Sequence, residues 1–137
     1  MNAIETIQQQ DQIVKAIAQA IREPWSYVVV NTEIDVVDGE QTENSIALSY
    51  SKRFWRLNSR GEELPHEHFS WFVALREKMA DPIGSRWGSC TVVFDRHGHY
   101  QFDFSYDPPP RLNGVYNDTT MLKHFDPKSF LKRHGNR

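Results

Sequence analysis

Two histidine pairs are the residues whose types and spacing come closest to a metal site. They are His66 and His68, separated by a glutamate, and His97 and His99, separated by a glycine. Imidazole and carboxylate groups are zinc ligands. However, the first pair falls in the first turn of a predicted helix, where alternate residues point apart, and the second flanks a predicted hairpin turn. We therefore expect no bound metal and no cofactor, and keep a small metal-binding protein or enzyme using these pairs as an alternative function.

A nucleophile is the second kind of chemistry to consider, and Cys90 is the only cysteine. It lies in a predicted strand with no base beside it in sequence, which is typical of a buried, inert thiol. Neither a G-x-S-x-G elbow nor a glycine-rich phosphate loop is present. We expect a protein that is not an enzyme. A lone cysteine forms no internal disulfide, which fits a reducing compartment.

Carboxylates form the densest charged group. Five of them lie within eleven residues that contain no Lys or Arg: Glu33, Asp35, Asp38, Glu40 and Glu43. Strand alternation places Glu33 and Asp35 on a solvent-facing side of the sheet. Such a group suits a cation or a protein surface rich in Arg and Lys, with a solvated turn as the simpler interpretation. Nothing nearby raises a carboxyl pKa, as a general acid would require.

Charge along the chain indicates the kind of partner. The 137 residues carry a net charge of −2, yet residues 121–137 hold five basic residues and one acid, so residues 1–120 sum to −6. An acidic body favours a basic protein partner over nucleic acid. The first residues do not resemble a signal peptide, and no apolar run approaches the length of a membrane span. We expect a cytoplasmic protein without a membrane partner.

Hydrophobic periodicity predicts three helices. The first covers about 2–22 and ends before Pro24. Its expected buried face is Ile4, Ile7, Val14, Ile17 and Ile21. A second helix begins near Pro65 and buries Phe69, Phe72, Val73 and Met79. A short terminal helix over about 127–133 is capped by Asp126.

Alternating residues predict strands over 27–36, 45–50, 54–57, 87–94 and 100–106. Asp38-Gly39 and residues 95–98 are hairpin turns, and 58–61 is expected to be a loop. The order is α-β-β-β-α-β-β. These features predict an α+β fold: an antiparallel sheet of about five strands, with helices packed on one face and an irregular C-terminal tail. We expect a single domain over 1–137, with its core at about 3–110 and an extension over 111–137.

The final hairpin carries a family resemblance. The run 87–95, WGSCTVVFD, followed by 98–107, GHYQFDFSYD, resembles the YezG-like immunity proteins. Members also show an N-terminal amphipathic helix ending near a Trp, here Trp25, and then a strand with acidic residues. The resemblance covers about residues 3–110 and is specific in this hairpin and in the element order. It implies an antitoxin that binds a bacterial polymorphic toxin, often a nuclease, and that has no catalytic residues.

The expected contact surface is the solvent-facing side of the sheet and the first turn. Its residues are Glu33, Asp35, Asp38, Glu40 and Asp103, with Tyr106 and Asp107 at the strand end as second choices. Trp55 and Trp71 are candidate aromatic anchors, although core packing is the favoured role for each. A general adaptor that binds some other protein is a third possible function.

Overall fold

The computed structural model describes residues 3–134, with side chains as far as Lys132. Five strands form one antiparallel sheet in the order β3-β2-β1-β4-β5. They are β1 Tyr27–Val37, β2 Glu40–Arg53, β3 Arg56–Glu62, β4 Ser89–Asp95 and β5 Tyr100–Ser105. The predicted α+β class, the antiparallel sheet and the α-β-β-β-α-β-β order are confirmed, and a third helix follows the last strand.

The helices α1 (Ala3–Ala20) and α2 (His68–Met79) cover one side of the sheet, here called the front face. Because strand side chains alternate, Val28, Val30 and Ile34 all point to this side. They are completely buried, as are Phe72 and Trp87. The predicted orientation of β1 and the predicted burial of α2 are therefore confirmed at these positions.

The first two turns of α1 differ from the prediction. Ile13, Val14 and Ile17 are buried, but Ile4 and Ile7 are 65% and 58% exposed. Ile7 lies seven residues before Val14 and so points in nearly the same direction from the helix axis. The packed part of the helix begins further along the chain, which is why the same periodicity does not bury the first two isoleucines.

The opposite side of the sheet, here called the back face, is covered by the C-terminal segment. A short 3₁₀ helix, Arg111–Asn113, and α3, Pro127–His134, lie in this segment. Phe130 and Leu131 pack with Val29 and Val93 in a second apolar cluster. The expectation of helices on one face only is thus corrected, whereas the segment before α3 is irregular apart from the 3₁₀ helix. Apolar residues on the back face need cover, and Leu122 and Phe125 supply it together with α3.

The predicted terminal helix is confirmed. The Asp126 carboxylate accepts hydrogen bonds from the backbone N–H of Ser129, at 3.1 Å, and from its hydroxyl, at 2.8 Å. Pro127 occupies the first helical position, where its missing N–H costs nothing. Arg137, counted in the basic tail, lies outside the described residues.

The β2–β3 hairpin departs most from the sequence-based prediction. Phe54 and Trp55 form the turn instead of beginning a strand, and residues 58–61, expected to be a loop, are part of β3. Arg53 pairs with Arg56, and the register continues to Ala47 opposite Glu62. The long cross-strand register overrides the strand preference of the two aromatic residues.

Two hairpin arms project from opposite ends of the sheet. The last β1–β4 pair at one end is Glu33 with Ser89, so residues 35–42 of the β1–β2 hairpin extend beyond it as the acidic arm. At the other end, β1 begins opposite Tyr50, so residues 51–58 of the β2–β3 hairpin extend as the aromatic arm. Antiparallel pairing of consecutive strands requires these two turns to lie at opposite ends.

Candidate protein-binding surface

The acidic arm presents carboxylates and apolar side chains together. Asp38 and Gly39 form its turn with φ angles of 52° and 79°, as expected for a two-residue hairpin turn. Val36 and Val37 beside the turn are 56% and 44% exposed, and Asp38 and Glu40 are also exposed. Exposed valines next to unpaired carboxylates give this arm both a charged and an apolar contact area.

The end of β5 lies at the same end of the sheet. Ser105 pairs with Ser89, and Ser89 pairs with Glu33, so Tyr106 and Asp107 follow directly at the base of the acidic arm. Tyr106 is 56% exposed, and Asp107 is exposed as well. The structure therefore brings these two residues and the arm to one surface, here called the acidic end. Its members are Asp35, Val36, Val37, Asp38, Glu40, Tyr106 and Asp107.

Asp103 lies apart from the acidic end. It is exposed on the edge strand β5, where it pairs with Thr91 and points to the back face. Along β5 it lies three residues before Tyr106, the first residue of this strand end that belongs to the acidic end. Asp103 can therefore contribute only to a partner that also reaches around the edge of the sheet.

Glu33 is not available to a partner, which corrects the sequence-based prediction. Its side chain is 1% exposed because the C-terminal segment covers this part of the back face. One carboxylate oxygen lies 3.3 Å from Nη1 of Arg111, and the other accepts a 2.9 Å hydrogen bond from the backbone N–H of Leu112. The alternation of β1 was predicted correctly, but the solvent expected on that side is replaced by protein.

Arg111 is the residue that sequence reasoning missed. It is 2% exposed and donates to the side-chain oxygen of Asn44 at 2.7 Å and to the Thr120 carbonyl at 2.8 Å. It also reaches the carbonyls of Asn31 and Asn44 at 3.2 Å. Burial lowers the pKa of its guanidinium, and the charge of Glu33 opposes that shift. The network fixes the start of the C-terminal segment on β1 and β2. An arginine that follows three prolines in the sequence gives no indication of such a role.

The two histidine pairs are far apart. His68 packs beside β2 at Glu43 and Ser45, whereas His97 and His99 sit in the β4–β5 turn near the beginning of β1. His99 bonds the Asp95 carboxylate at 2.8 Å. The structure does not bring the pairs into one site, and residues 3–132 contain no group of three or more potential His, Cys, Asp or Glu ligands.

Hydrogen bonding explains why the pKa of Asp95 is lowered. Burial alone would raise it, but hydrogen bonds from the side chain and backbone of His99 and from the backbone of His97 outweigh that effect. The Asp95 carboxylate therefore organises the turn that holds the second histidine pair. Through these hydrogen bonds His99 stabilises the β4–β5 turn.

His68 forms a hydrogen-bonded chain between α2 and the sheet. Its Nδ1 lies 2.7 Å from the Pro65 carbonyl, and its Nε2 lies 3.3 Å from the Ser45 hydroxyl. Ser45 in turn is 3.0 Å from the Thr32 hydroxyl. A serine beside a histidine is the pairing a nucleophile uses. Here the Ser45 hydroxyl also bonds Thr32 of the central strand. We therefore interpret these hydrogen bonds as a link that fixes α2 to β1 and β2.

Cys90 lies in the front-face core. Its side chain is fully buried, and burial raises the pKa of the thiol well above its usual value. A protonated thiol is a poor nucleophile and a poor metal ligand. The packing of Cys90 against the front-face cluster gives it a structural role.

The two tryptophans considered as anchors behave differently. Trp71 packs partly buried against the front-face core. Trp55 is 98% exposed at the tip of the aromatic arm, and Phe54 beside it is 85% exposed. The favoured core role of Trp55 is therefore corrected. Phe54 was not singled out from sequence, because adjacent aromatic residues between polar ones are typical of a strand.

Neither a search with models of protein families nor a search of curated proteins found a match for this chain. The resemblance of the final hairpin to YezG-like immunity proteins therefore stays a prediction. None of the helices in the described part of the chain has the length and apolar character needed to cross a membrane.

Proposed function

We propose that this protein is a cytoplasmic immunity protein that binds a toxin domain directly and neutralises it, and that the toxin is a basic nuclease. The observation that carries the proposal is the acidic end, where Asp38 and Glu40 lie beside the exposed valines of the same arm. Carboxylates attract a basic partner, and exposed apolar groups are buried when it docks.

The geometry of the acidic end supports this assignment. A projecting hairpin reaches into a concave surface, and a nuclease cleft that holds nucleic acid is concave and positively charged. Tyr106 at the base of the arm adds an aromatic side chain that is 56% exposed, a residue type that often contributes strongly to binding. The carboxylates of Asp35, Asp38 and Glu40 would occupy positions that phosphates of the substrate otherwise take.

The direct test is co-expression with a candidate toxin domain encoded by a neighbouring gene. We expect cells that produce both proteins to survive and the purified pair to form a one-to-one complex. Survival should be lost in the doubly charge-reversed variant Asp38→Lys/Glu40→Lys. Glu63→Lys is the matched control, since Glu63 is an exposed acid on the connection between β3 and α2. The proposal fails if the toxin kills cells that contain the wild-type protein.

Binding kinetics test the surface itself. At low salt, the double charge reversal should slow association by roughly tenfold or more, because opposite charges accelerate encounter. The difference should shrink as the salt concentration rises and screens these charges. Equal association rates for the wild type and the double variant at low salt would show that the acidic end is not part of the interface.

A further inference from the structure

The aromatic arm extends past the end of the central strand β1, at the end of the sheet that also holds the β4–β5 turn. Beyond the pair of Tyr27 and Tyr50, only β2 and β3 continue, through three further pairs that end with Arg53 opposite Arg56. At about 3.3 Å per residue these pairs carry the turn roughly 10 Å past the end of β1. Phe54 and Trp55 therefore lie beyond the end of β1, and Trp55 also borders an open cleft whose other walls include His97 and Asp126.

The turn at the tip uses unfavourable residues. Phe54 and Trp55 have φ angles of 50° and 68°, in the left-handed region that bulky side chains rarely adopt. The acidic arm of the same chain makes its turn with Asp38 and Gly39, which suit such angles. Two adjacent aromatic residues in this conformation strain the backbone, and strain of this kind is found at functional sites.

Both aromatic side chains are directed into solvent, and cations surround them. Phe54 and Trp55 are 85% and 98% exposed. Lys52, Arg53 and Arg56 are exposed directly behind them, and the Arg53 guanidinium lies 5.5 Å from the centre of the Phe54 ring. The aromatic arm thus ends in an apolar tip followed by three positive charges. The strained backbone and the two exposed aromatic side chains both raise the free energy of this turn in water. A bound state that buries the two side chains would offset that cost.

We infer that the aromatic arm binds the surface of an anionic lipid bilayer, with Phe54 and Trp55 inserted among the headgroups. Tryptophan favours the membrane interface, and interfacial segments bury their apolar side chains about 5–10 Å deep. The 10 Å overhang matches that depth. With the tip inserted, Lys52, Arg53 and Arg56 lie at the level of the lipid phosphates, which attract them.

The shape of the arm favours a bilayer over the other anionic partners. A single-stranded nucleic acid is usually held in a basic groove where successive bases stack on aromatic side chains. Here the two aromatic residues occupy the turn of a hairpin and are 85% and 98% exposed, although Trp55 also borders a cleft. A planar bilayer accepts such a turn without any complementary cavity.

The distribution of charge permits this orientation. Asp38 and Glu40 lie at the opposite end of the sheet, and the eleven residues of β1 separate the two ends by roughly 35 Å. That distance is several times the screening length of about 8 Å in physiological salt. Acids closer to the arm have partners of their own: Glu23 pairs with Arg96, and Asp95 accepts bonds within its own turn. Asp126, which borders the same cleft as Lys52 and Trp55, accepts hydrogen bonds from Ser129. The expectation of no membrane partner rested on spanning segments, and a surface contact requires none.

Vesicle co-sedimentation tests the inference with the full-length protein. We expect the wild type to sediment with vesicles of phosphatidylcholine containing about one quarter phosphatidylglycerol, and to remain in solution with phosphatidylcholine alone. Fluorescence from Trp55 should shift to shorter wavelength on binding, and brominated lipids should quench it. The other three tryptophans are wholly or partly buried, so the shift reports the arm.

The decisive variant is Phe54→Asn/Trp55→Gly, because Asn-Gly is the preferred pair for this turn. It should fold at least as stably as the wild type, with a higher melting temperature, and lose vesicle binding. Arg53→Gln/Arg56→Gln should weaken binding about thirtyfold. Tyr116→Ala, which removes an aromatic residue that is 64% exposed elsewhere, should bind like the wild type.

Three results would overturn the inference. The first is that the wild-type protein does not bind anionic vesicles. The second is that Phe54→Asn/Trp55→Gly binds them as well as the wild type does. The third is that the aromatic arm binds a thymidine oligonucleotide and not vesicles. Toxin neutralisation is measured separately. If Phe54→Asn/Trp55→Gly folds and neutralises the toxin but does not bind vesicles, the result supports the membrane role of the aromatic arm. The acidic end then remains the proposed toxin-binding surface.

Discussion

Glu33 and Arg111 form a buried ion pair that joins the central strand to the start of the C-terminal segment. Arg111 Nη1 lies 3.3 Å from the carboxylate, and the two side chains are 2% and 1% exposed. Breaking a buried pair leaves one charge without compensation, which costs about 3–5 kcal/mol. We therefore expect Glu33→Gln to lower the free energy of unfolding in urea by that amount.

The double variant Glu33→Leu/Arg111→Met provides the comparison. It should lose less stability than the single variants Glu33→Leu and Arg111→Met added together, because it leaves neither charge buried alone. Some loss remains, since the carbonyls that Arg111 bonds in β1 and β2 lose their donor. Asp11→Asn, which breaks the exposed Asp11–Lys15 pair, should change the free energy of unfolding far less than Glu33→Gln does. Strict additivity of the two core substitutions would contradict the pairing.

Gly88 should not tolerate alanine. A Cβ atom there would lie 2.8 Å from the Asp107 carbonyl oxygen and 3.0 Å from Cδ of Pro109, so backbone would have to move. Overpacking of this kind costs about 1–3 kcal/mol in unfolding experiments. Gly61→Ala is the matched control, because nothing lies within 4 Å of its Cβ position. If both substitutions have equal effects, the close approach of residues 107–109 to β4 is not present in solution.

Stability should fall at alkaline pH. Burial raises the pKa of the Cys90 thiol and brings that of the Tyr50 phenol to about 12. Unfolded, these groups titrate near about 8.5 and 10, so above those values the unfolded chain releases protons that the folded chain retains. The stability that protonated Cys90 and Tyr50 contribute is fully present below about pH 8.5 and decreases as the pH rises toward 12. Urea titrations at increasing pH measure this decline.

Tyr50→Phe separates the two contributions. The variant should remain close to the wild type at neutral pH, because the phenol makes only a long 3.5 Å hydrogen bond to the Phe125 carbonyl. Between about pH 10 and 12 it should lose stability less steeply than the wild type. Stability that increases with pH across this range would show that neither group is buried as described.

The Asp126 cap predicts a distinct dependence on acid. A hydrogen bond from the Ser129 side chain is the main reason that the pKa of Asp126 is lowered. The stability it contributes is present above about pH 3.9 and is lost as the pH falls through the lower folded value. Asp126→Ala should cost about 1 kcal/mol, whereas Asp126→Asn should keep most of the cap. Only the Asn variant should combine near-normal stability with loss of this acid dependence.

Periodicity was sufficient to predict the orientation of β1, because its side chains alternate strictly between the two faces. It places Glu33 on the side opposite Val28 and Val30, as the structure does. What alternation does not reveal is whether a later part of the chain covers that side. The segment after three prolines has no regular period until α3, so its packing on Glu33 through Arg111 is a purely tertiary effect.

The two arms illustrate the same limit for the surface. Asp38-Gly39 is a strong turn signal, and the acidic end was largely predictable from it. Phe54 and Trp55 carry the opposite signal, since aromatic residues favour strands. Only the register of the flanking strands places them in the turn. The local sequence conflicts with the global fold at this position, as it often does at functional positions.

The late position of the back-face cover affects how the protein matures on the ribosome. Val29 and Val93 remain uncovered until Phe130 and Leu131 have been synthesised. At about 5–20 residues per second, roughly 5–20 s elapse between translation of Val29 and translation of Phe130. During that interval Val29, and Val93 once it has been synthesised, are without this cover and form an apolar surface that chaperones can bind. The yield of active protein should therefore depend on translation speed and on chaperone supply as well as on the stability of the finished fold.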